Sequence, residues 1–289
     1  MQSGVRFAPS PTGAFHLGNF RTAWISHYWA RFLGTPWVLR FEDIDAPRVV
    51  VGAMERQLAE MEALGLRADR VEVQSAFFPR HLAVFRKAAA VSSVYPCFCS
   101  RKEVRESLEQ ASSAPHSTPP LYGGRCRYRE APATHELPTV AWRFRNPVDS
   151  TGAQDFIIGR TDHERKLDTF VPAYNWACAV DDFDGNFLML VRAWDLAGVL
   201  DQQRAVQAWL ARLEEREFTA PQVFHCALVV ANDQHRLEKR TKGVTLDELR
   251  VQGLSDAEIV RRLKLSFDPK AGDAVGEARQ QITVAELGF

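Results

Sequence analysis

A parallel α/β sheet is the architecture to expect of this 289-residue chain. Strand-like apolar runs alternate with segments of helical period through its first quarter, and that alternation favours parallel strands joined by crossover helices. A Pro/Gly-rich turn, "APSPTGAFHLGN", stands between the first strand and the first helix. The second strand runs into an acidic cluster, "EDID", and in open α/β sheets ligands collect at the carboxyl ends of strands.

The elements follow in order. Residues 5–8 form a short strand. From Gly18, residues Phe20, Ala23, Trp24, His27 and Tyr28 share one helical face, and Gly34 with Pro36 stops the helix. "WVLRF" reads as a buried strand, and Met54, Leu58, Met61 and Leu64 recur at helical spacing. The alternation breaks at "YPCFC", where residues 111–120, rich in Ser and Pro, predict a loop inside an insertion. Strands resume at "VAWRFR" and "DFIIGR". A helix around residues 172–179, the strand "FLMLVR" and the amphipathic helix "DQQRAVQAWLARL" come next. Thr245 with Glu248 and Ser255 with Glu258 have capping-box spacing, so two short helices are expected near the end.

Hydrophobic residues make up 46% and charged residues 25%, ordinary for a globular protein. No apolar run approaches the roughly 18 residues that span a bilayer, and "MQSGVRFAPS" lacks the order of a secretory signal. A cytoplasmic protein with no membrane partner is the expectation. Basic and acidic residues balance at 36 each, so global charge does not mark a nucleic-acid binder, although local patches remain open. Five cysteines, an odd number, argue against a disulfide framework.

The opening turn carries the most chemistry. A Pro/Gly turn leading a strand into a helix presents backbone amides at the helix N-terminus, which suits a phosphate. His16, at the helix start, is placed to donate to phosphate oxygens in a transition state. Gly18 leaves space for a nucleotide to approach the backbone. Taken alone, "HLGN" reads more simply as a turn with a solvated histidine.

Other segments decide between these readings. "RFAPSPTGAFHLGN" followed by "VLRFEDIDAPR" closely resembles the catalytic core of the glutamyl-tRNA synthetases, with "HLGN" standing for the class I "HIGH" signature. "FVPAYNWACAVDD" resembles the family's Tyr-containing helix entry, "LVRAWDL" its arginine-bearing strand, and "RLEKRTKGVTLDELR" its lysine loop, usually written KMSKS. The matches run in family order from about Arg6 to Arg250. They imply a class I, Rossmann-like parallel sheet. Residues 1–95 and 136–225 are expected to form two halves of a nucleotide-binding catalytic domain, and residues 96–135 a zinc-binding-type insertion. Residues 226–289 would hold the lysine loop and C-terminal helices, without an anticodon-binding domain.

That short ending resembles a paralogous branch, the glutamyl-queuosine tRNA(Asp) synthetases. "CFC" and "YGGRC" match the branch's zinc pattern, with Cys97, Cys99, Tyr122 and Cys126 in the ligand positions. Three thiolates and a phenolate or water suit one tetrahedral, structural Zn2+. Three reduced cysteines in a small apolar cluster is the alternative. Cys178 and Cys226 are expected to be packing residues.

The resemblance implies that L-glutamate and ATP, with Mg2+, give glutamyl-adenylate and pyrophosphate. The glutamyl group then passes to the queuosine in the anticodon of tRNA(Asp). Arg6 and Arg192 fall at the positions for the γ-carboxylate, with the Tyr174 hydroxyl as a further donor. Ser10 and Glu42 fall at those for the α-ammonium. His16, Gly18 and Asn19 would serve ATP, and Lys239 the departing pyrophosphate. Other acceptors (a tRNA 3′ end, a protein or a small molecule) stay open, as does a non-catalytic glutamate- or ATP-binding role. A monomer is expected.

Two departures from the family stand out. Glu238 occupies a position where Ser is usual, although the register Lys239, Arg240, Thr241, Lys242 restores lysine–hydroxyl–lysine order. Trp194 stands where the family has a small or acidic residue, either narrowing a pocket or packing. Arg101, Lys102, Arg105, Arg125, Arg127 and Arg129 are candidate RNA contacts, with Glu103, Glu106 and Glu109 arguing for an ordinary solvated helix.

Overall fold

The computed structural model describes residues 3–100, 102–103, 122–128, 138–148, 154–233, 237, 244–269, 277 and 279–289. In chain order, its first elements are β1 (Val5–Phe7), α1 (Leu17–Phe32), β2 (Trp37–Phe41), α2 (Ala53–Ala63), β3 (Arg70–Val73) and α3 (Phe78–Ala90). Strands β4 (Val94–Cys97), β5 (Thr139–Phe144), β6 (Phe156–Asp162) and β7 (Val171–Pro172) precede α4 (Tyr174–Gly185) and β8 (Met189–Ala193). Then come α5 (Leu200–Leu213), β9 (Gln222–Cys226), β10 (Leu228–Val230), α6 (Leu246–Val251), α7 (Asp256–Leu265) and β11 (Gln281–Thr283). Two compact units result, one of residues 1–76, 185–200 and 219–289, the other of residues 77–184 and 201–218.

The first unit holds the expected parallel sheet, in the order β3-β2-β1-β8-β9. Pairing aligns Arg6 with Val38 and Leu190, and Arg192 with His225. Because side chains alternate across a strand, this register sorts residues onto two faces. Val5, Phe7, Trp37, Leu39, Met189, Val191 and Phe224 join the large core against α1. Val38, Leu190 and Val223 form a smaller apolar cluster on the other face. Arg6, Arg40, Arg192 and His225 share that second face with them.

Helix α1 begins where predicted but buries Phe20, Ala23 and Ala30 more fully than Trp24 and Tyr28, which lie half-buried against Phe267. In α2 the expected Met61 is buried, as is Leu64 just after it, and Met54 and Leu58 pack part-buried against the core, while Ala53, Gln57 and Glu60 shift the most buried side partly round the helix. Gln57 explains the shift, since its Nε2 donates to the carbonyls of Ser10 (3.3 Å) and Gly13 (2.7 Å) in the Pro/Gly turn. Gly13 sits at φ +127°, a conformation glycine supplies without strain. Both predicted caps form, with Thr245 and Glu248 making a complete capping box. The short parallel pair β10–β11 lies outside the expected elements.

"VAWRFR" and "DFIIGR" do form strands, but in a separate sheet of the second unit, ordered β4-β5-β6-β7 and antiparallel throughout. Its core is aromatic: Phe85 stacks on Phe170 at 3.8 Å and meets Trp142 edge-on at 5.1 Å, while Trp176 lies 6.0 Å from Trp209. Among the described residues, no helix is long and apolar enough to cross a membrane.

Candidate functional site

All five strands are parallel, and their order proceeds from β1 through β2 to β3 on one side and from β8 to β9 on the other, so the order reverses between β1 and β8. Such a switch point opens a crevice at the carboxyl ends of the strands. Arg6 on β1 and Arg192 on β8 flank it, 2% and 4% exposed, and Arg40 on β2 is wholly buried. Removing guanidinium groups from water costs several kcal/mol each unless anions compensate. Glu42, buried just past β2, has its Oε1 at 3.8 Å from Arg40 Nη2. The same glutamate is tied to the opening turn, its backbone N–H donating to the Pro9 carbonyl at 2.9 Å. Ser10 is exposed in that turn. Asp43 is engaged elsewhere, accepting from the Ser75 N–H at 2.8 Å.

His16 is the N-cap of α1. Its Nδ1 accepts from the Gly18 N–H at 3.1 Å, and its own N–H donates to Asn19 Oδ1 at 3.2 Å, a reciprocal capping box. An accepting Nδ1 places the ring proton on Nε2, so the neutral imidazole carries its donor there. The first helical amides are also spoken for. Leu17 donates to the Val244 carbonyl at 2.8 Å, and Asn19 and Phe20 to the His16 carbonyl. The expectation of amides presented to a phosphate is therefore corrected: side chains, not this helix end, offer donors in this conformation. The Leu17–Val244 bond and the His16–Thr245 bridge bring the segment after the lysine loop onto the "HLGN" turn. Lys239 and Glu238 themselves, and both registers of that loop, lie outside the described residues.

Tyr174, half-buried, opens α4 in the second unit. In the same unit, the Sγ atoms of Cys97, Cys99 and Cys126 all lie within 4.8 Å of one another. One tetrahedral ion with Zn–S bonds of about 2.3 Å would hold its sulfurs about 3.8 Å apart, and Cys99 and Cys126 stand at 3.5 Å. Tyr122 Oη is 3.7 Å from Cys97 Sγ and accepts from the Cys126 N–H at 2.8 Å. Arg143 Nε donates to Cys97 Sγ at 3.3 Å, and its guanidinium carbon lies 3.5 Å from the Tyr122 ring centre. A cation in that position suits a cluster that becomes anionic once its ligands lose protons. Hydrogen bonds from the Cys126 and Cys99 thiols, helped by Arg143, hold Cys97 far below the usual thiol range. Sharing protons with those neighbours pushes Cys99 up, and burial pushes Tyr122 up. The donor set fits a single metal ion. Cys178 and Cys226 are buried packing residues, as expected, and burial pushes the Cys226 thiol up to about 12.

Two of the candidate RNA contacts are engaged internally. Arg127 is buried and its Nη1 donates to Asp155 Oδ1 at 2.6 Å, while Arg125 pairs with Glu103 at 3.3 Å. Asp155 also accepts from Tyr95 Oη at 2.7 Å and from the Asn146 N–H at 2.8 Å, tying the cysteine cluster's loop to β4 and β5. Arg101, Arg105 and Arg129 lie outside the described residues. The sequence reading missed Gln57, Asp155 and His225, since each gains its meaning from a partner far away in the chain.

Comparison with known proteins identifies the family. Residues 3–282 match the family described as tRNA synthetases class I (E and Q), catalytic domain. A Burkholderia mallei protein named glutamyl-Q tRNA(Asp) synthetase is 35% identical over 84% of this chain and 82% of its own. A Deinococcus radiodurans protein of the same name is 32% identical over 98% of this chain and 94% of its own. The fold superimposes on a glutamate tRNA ligase from Elizabethkingia meningosepticum with a TM-score of 0.66 at 20% identity, covering 99% of this chain and 64% of that one. The chain thus belongs to the class I (E and Q) tRNA synthetases, in the group whose members are named glutamyl-Q tRNA(Asp) synthetase.

Proposed function

We propose that this protein activates L-glutamate with ATP and Mg2+, then transfers the glutamyl group to the queuosine of tRNA(Asp). The observation that carries the first step is the set of buried arginines at the switch point, Arg6 and Arg192 above all. Two guanidiniums so placed offer charge-assisted, bidentate donors to a substrate γ-carboxylate. Ser10 and Glu42 would accept from the α-ammonium, and the resemblance extends the set to the Tyr174 hydroxyl. With its side chain so held, the α-carboxylate oxygen attacks the α-phosphorus of ATP. Pyrophosphate leaves, and glutamyl-adenylate forms. His16, through Nε2–H, and Asn19 would steady the α-phosphate, and Lys239 the charge on the leaving group. An acceptor hydroxyl then attacks the acyl carbon, an ester forms and AMP departs.

The names of the relatives support queuosine as the acceptor. A protein from Thermoanaerobacter pseudethanolicus, named Glutamate--tRNA ligase 2 and 29% identical, keeps a tRNA 3′ end in view as a second acceptor. The cysteine cluster, in this reading, holds a structural Zn2+ that orders its loop. The protein would work in the cytoplasm as a monomer.

Labelled glutamate supplied with ATP and queuosine-containing tRNA(Asp) tests the acceptor. After nuclease cleavage, label should travel with the anticodon stem-loop and vanish when the tRNA lacks queuosine. Label on the 3′ fragment would refute the proposed acceptor.

A further inference from the structure

We infer that His225 is a positioning residue of the glutamate site, holding Arg192 in one orientation through a neutral imidazole. The inference rests on the proposed glutamate activation and names a determinant of its selectivity.

Register brings the two side chains together. Parallel pairing of β8 with β9 sets Arg192 beside His225, and Arg192 Nε donates to His225 Nε2 at 3.2 Å. Both side chains are buried, at 4% and 6% exposure. Arginine has no acceptor to offer, so the imidazole nitrogen receives the bond, its proton sits on Nδ1 and the ring is neutral. A bond at Nε sets the guanidinium plane and assigns carboxylate recognition to the Nη1/Nη2 edge. Trp194, in the turn after β8, lies 5.8 Å from the imidazole at an interplanar angle of 68°, so an aromatic edge braces the ring that braces the arginine. This gives Trp194 a packing role.

A neutral partner suits the task. A carboxylate at position 225 would orient Arg192 too, but would cancel the charge meant for the substrate. Imidazole orients without neutralising. A fixed fork also disfavours glutamine, whose amide nitrogen would face guanidinium donors with nothing to accept its hydrogens.

Glutamate-dependent ATP–pyrophosphate exchange by the whole protein tests this. Wild type is compared with His225→Leu, His225→Asn and His225→Gln, each checked for wild-type thermal unfolding. Leu removes the acceptor, Asn places its oxygen short of the Nε2 position, and Gln restores an oxygen near it. The KM for glutamate should rise about tenfold in His225→Leu and His225→Asn, the size of one lost orienting hydrogen bond. The KM for ATP should hold, and His225→Gln should recover most of the affinity for glutamate. Calorimetric titration with glutamate alone should show the same order. If His225→Leu fails to fold, His225→Asn against His225→Gln decides. A glutamate KM within twofold of wild type in a folded acceptor-less variant would overturn the inference while leaving the proposed function intact. Absence of glutamate-dependent exchange in wild type would overturn both.

Discussion

A Cβ on Gly18 would lie 3.0 Å from His16 Cε1, 3.1 Å from Nδ1 and 3.4 Å from Val229 Cβ. The glycine therefore makes room for the histidine's own ring, which closes the helix cap. Gly18→Ala should displace that ring, costing about 1 kcal/mol of stability for the broken cap. It should also lower the exchange rate at saturating glutamate, with little change in the glutamate KM. Arg6→Met should act oppositely, raising that KM at least about 100-fold, as expected for a lost charge-assisted pair. Arg192 was legible in the sequence because a cation inside an apolar strand needs an explanation, and Arg6 only through the family resemblance. His225 was not, because register between parallel strands has no local signature.

Among elements, the cysteine-bearing loop makes the sharpest demand. If one Zn2+ joins Cys97, Cys99, Tyr122 and Cys126, protein purified without added metal should contain about one equivalent by atomic emission. Cys126→Ser should lose it, and retained stoichiometric metal would place the ion elsewhere. The cysteine spacing made this cluster readable, but Arg143 and Asp155, which orient and tie it, come from distant strands. Helix α7 offers a pH test. Arg261 and then Arg262 hydrogen-bond Glu258 and hold its carboxyl down at about 2, below its ordinary 4.5. A depressed folded pKa stabilises at pH values above the ordinary one, and that share is lost as pH falls from about 4.5 towards 2. Urea midpoints of wild type and Glu258→Gln should differ slightly at pH 6 and draw together only as pH falls to about 2; the effect is small because the pair is exposed. The capping boxes were visible as four-residue patterns. In α2 the helical period found Met61 and Leu64 but not Gln57, because a glutamine clamping backbone carbonyls looks, in sequence, like a surface residue.

For the whole molecule, the parallel sheet was predictable from alternation. The interleaving of two units was not, because the chain leaves the first unit at residue 76 and returns at 185 and 219, and such returns leave no pattern in composition. One long-range tie shows the cost of such closure. Arg21, 1% exposed on α1, donates to both carboxylate oxygens of Glu277 at 2.6 and 3.0 Å, and to Ser266 Oγ at 3.0 Å. Glu277→Ala would strand a buried guanidinium and should destabilise the protein by about 3–5 kcal/mol. Chemical denaturation measures this directly, and a loss below 1 kcal/mol would show that the pair is dispensable.

ATP–pyrophosphate exchange is the direct test of a glutamate-adenylating site at the switch point of this sheet. Without any RNA, exchange should depend on glutamate and be at least about 100-fold weaker with glutamine or aspartate, the discrimination that a charge-matched buried site provides. Exchange that ignores the amino acid, or none with glutamate at all, would contradict the assignment of Arg6 and Arg192.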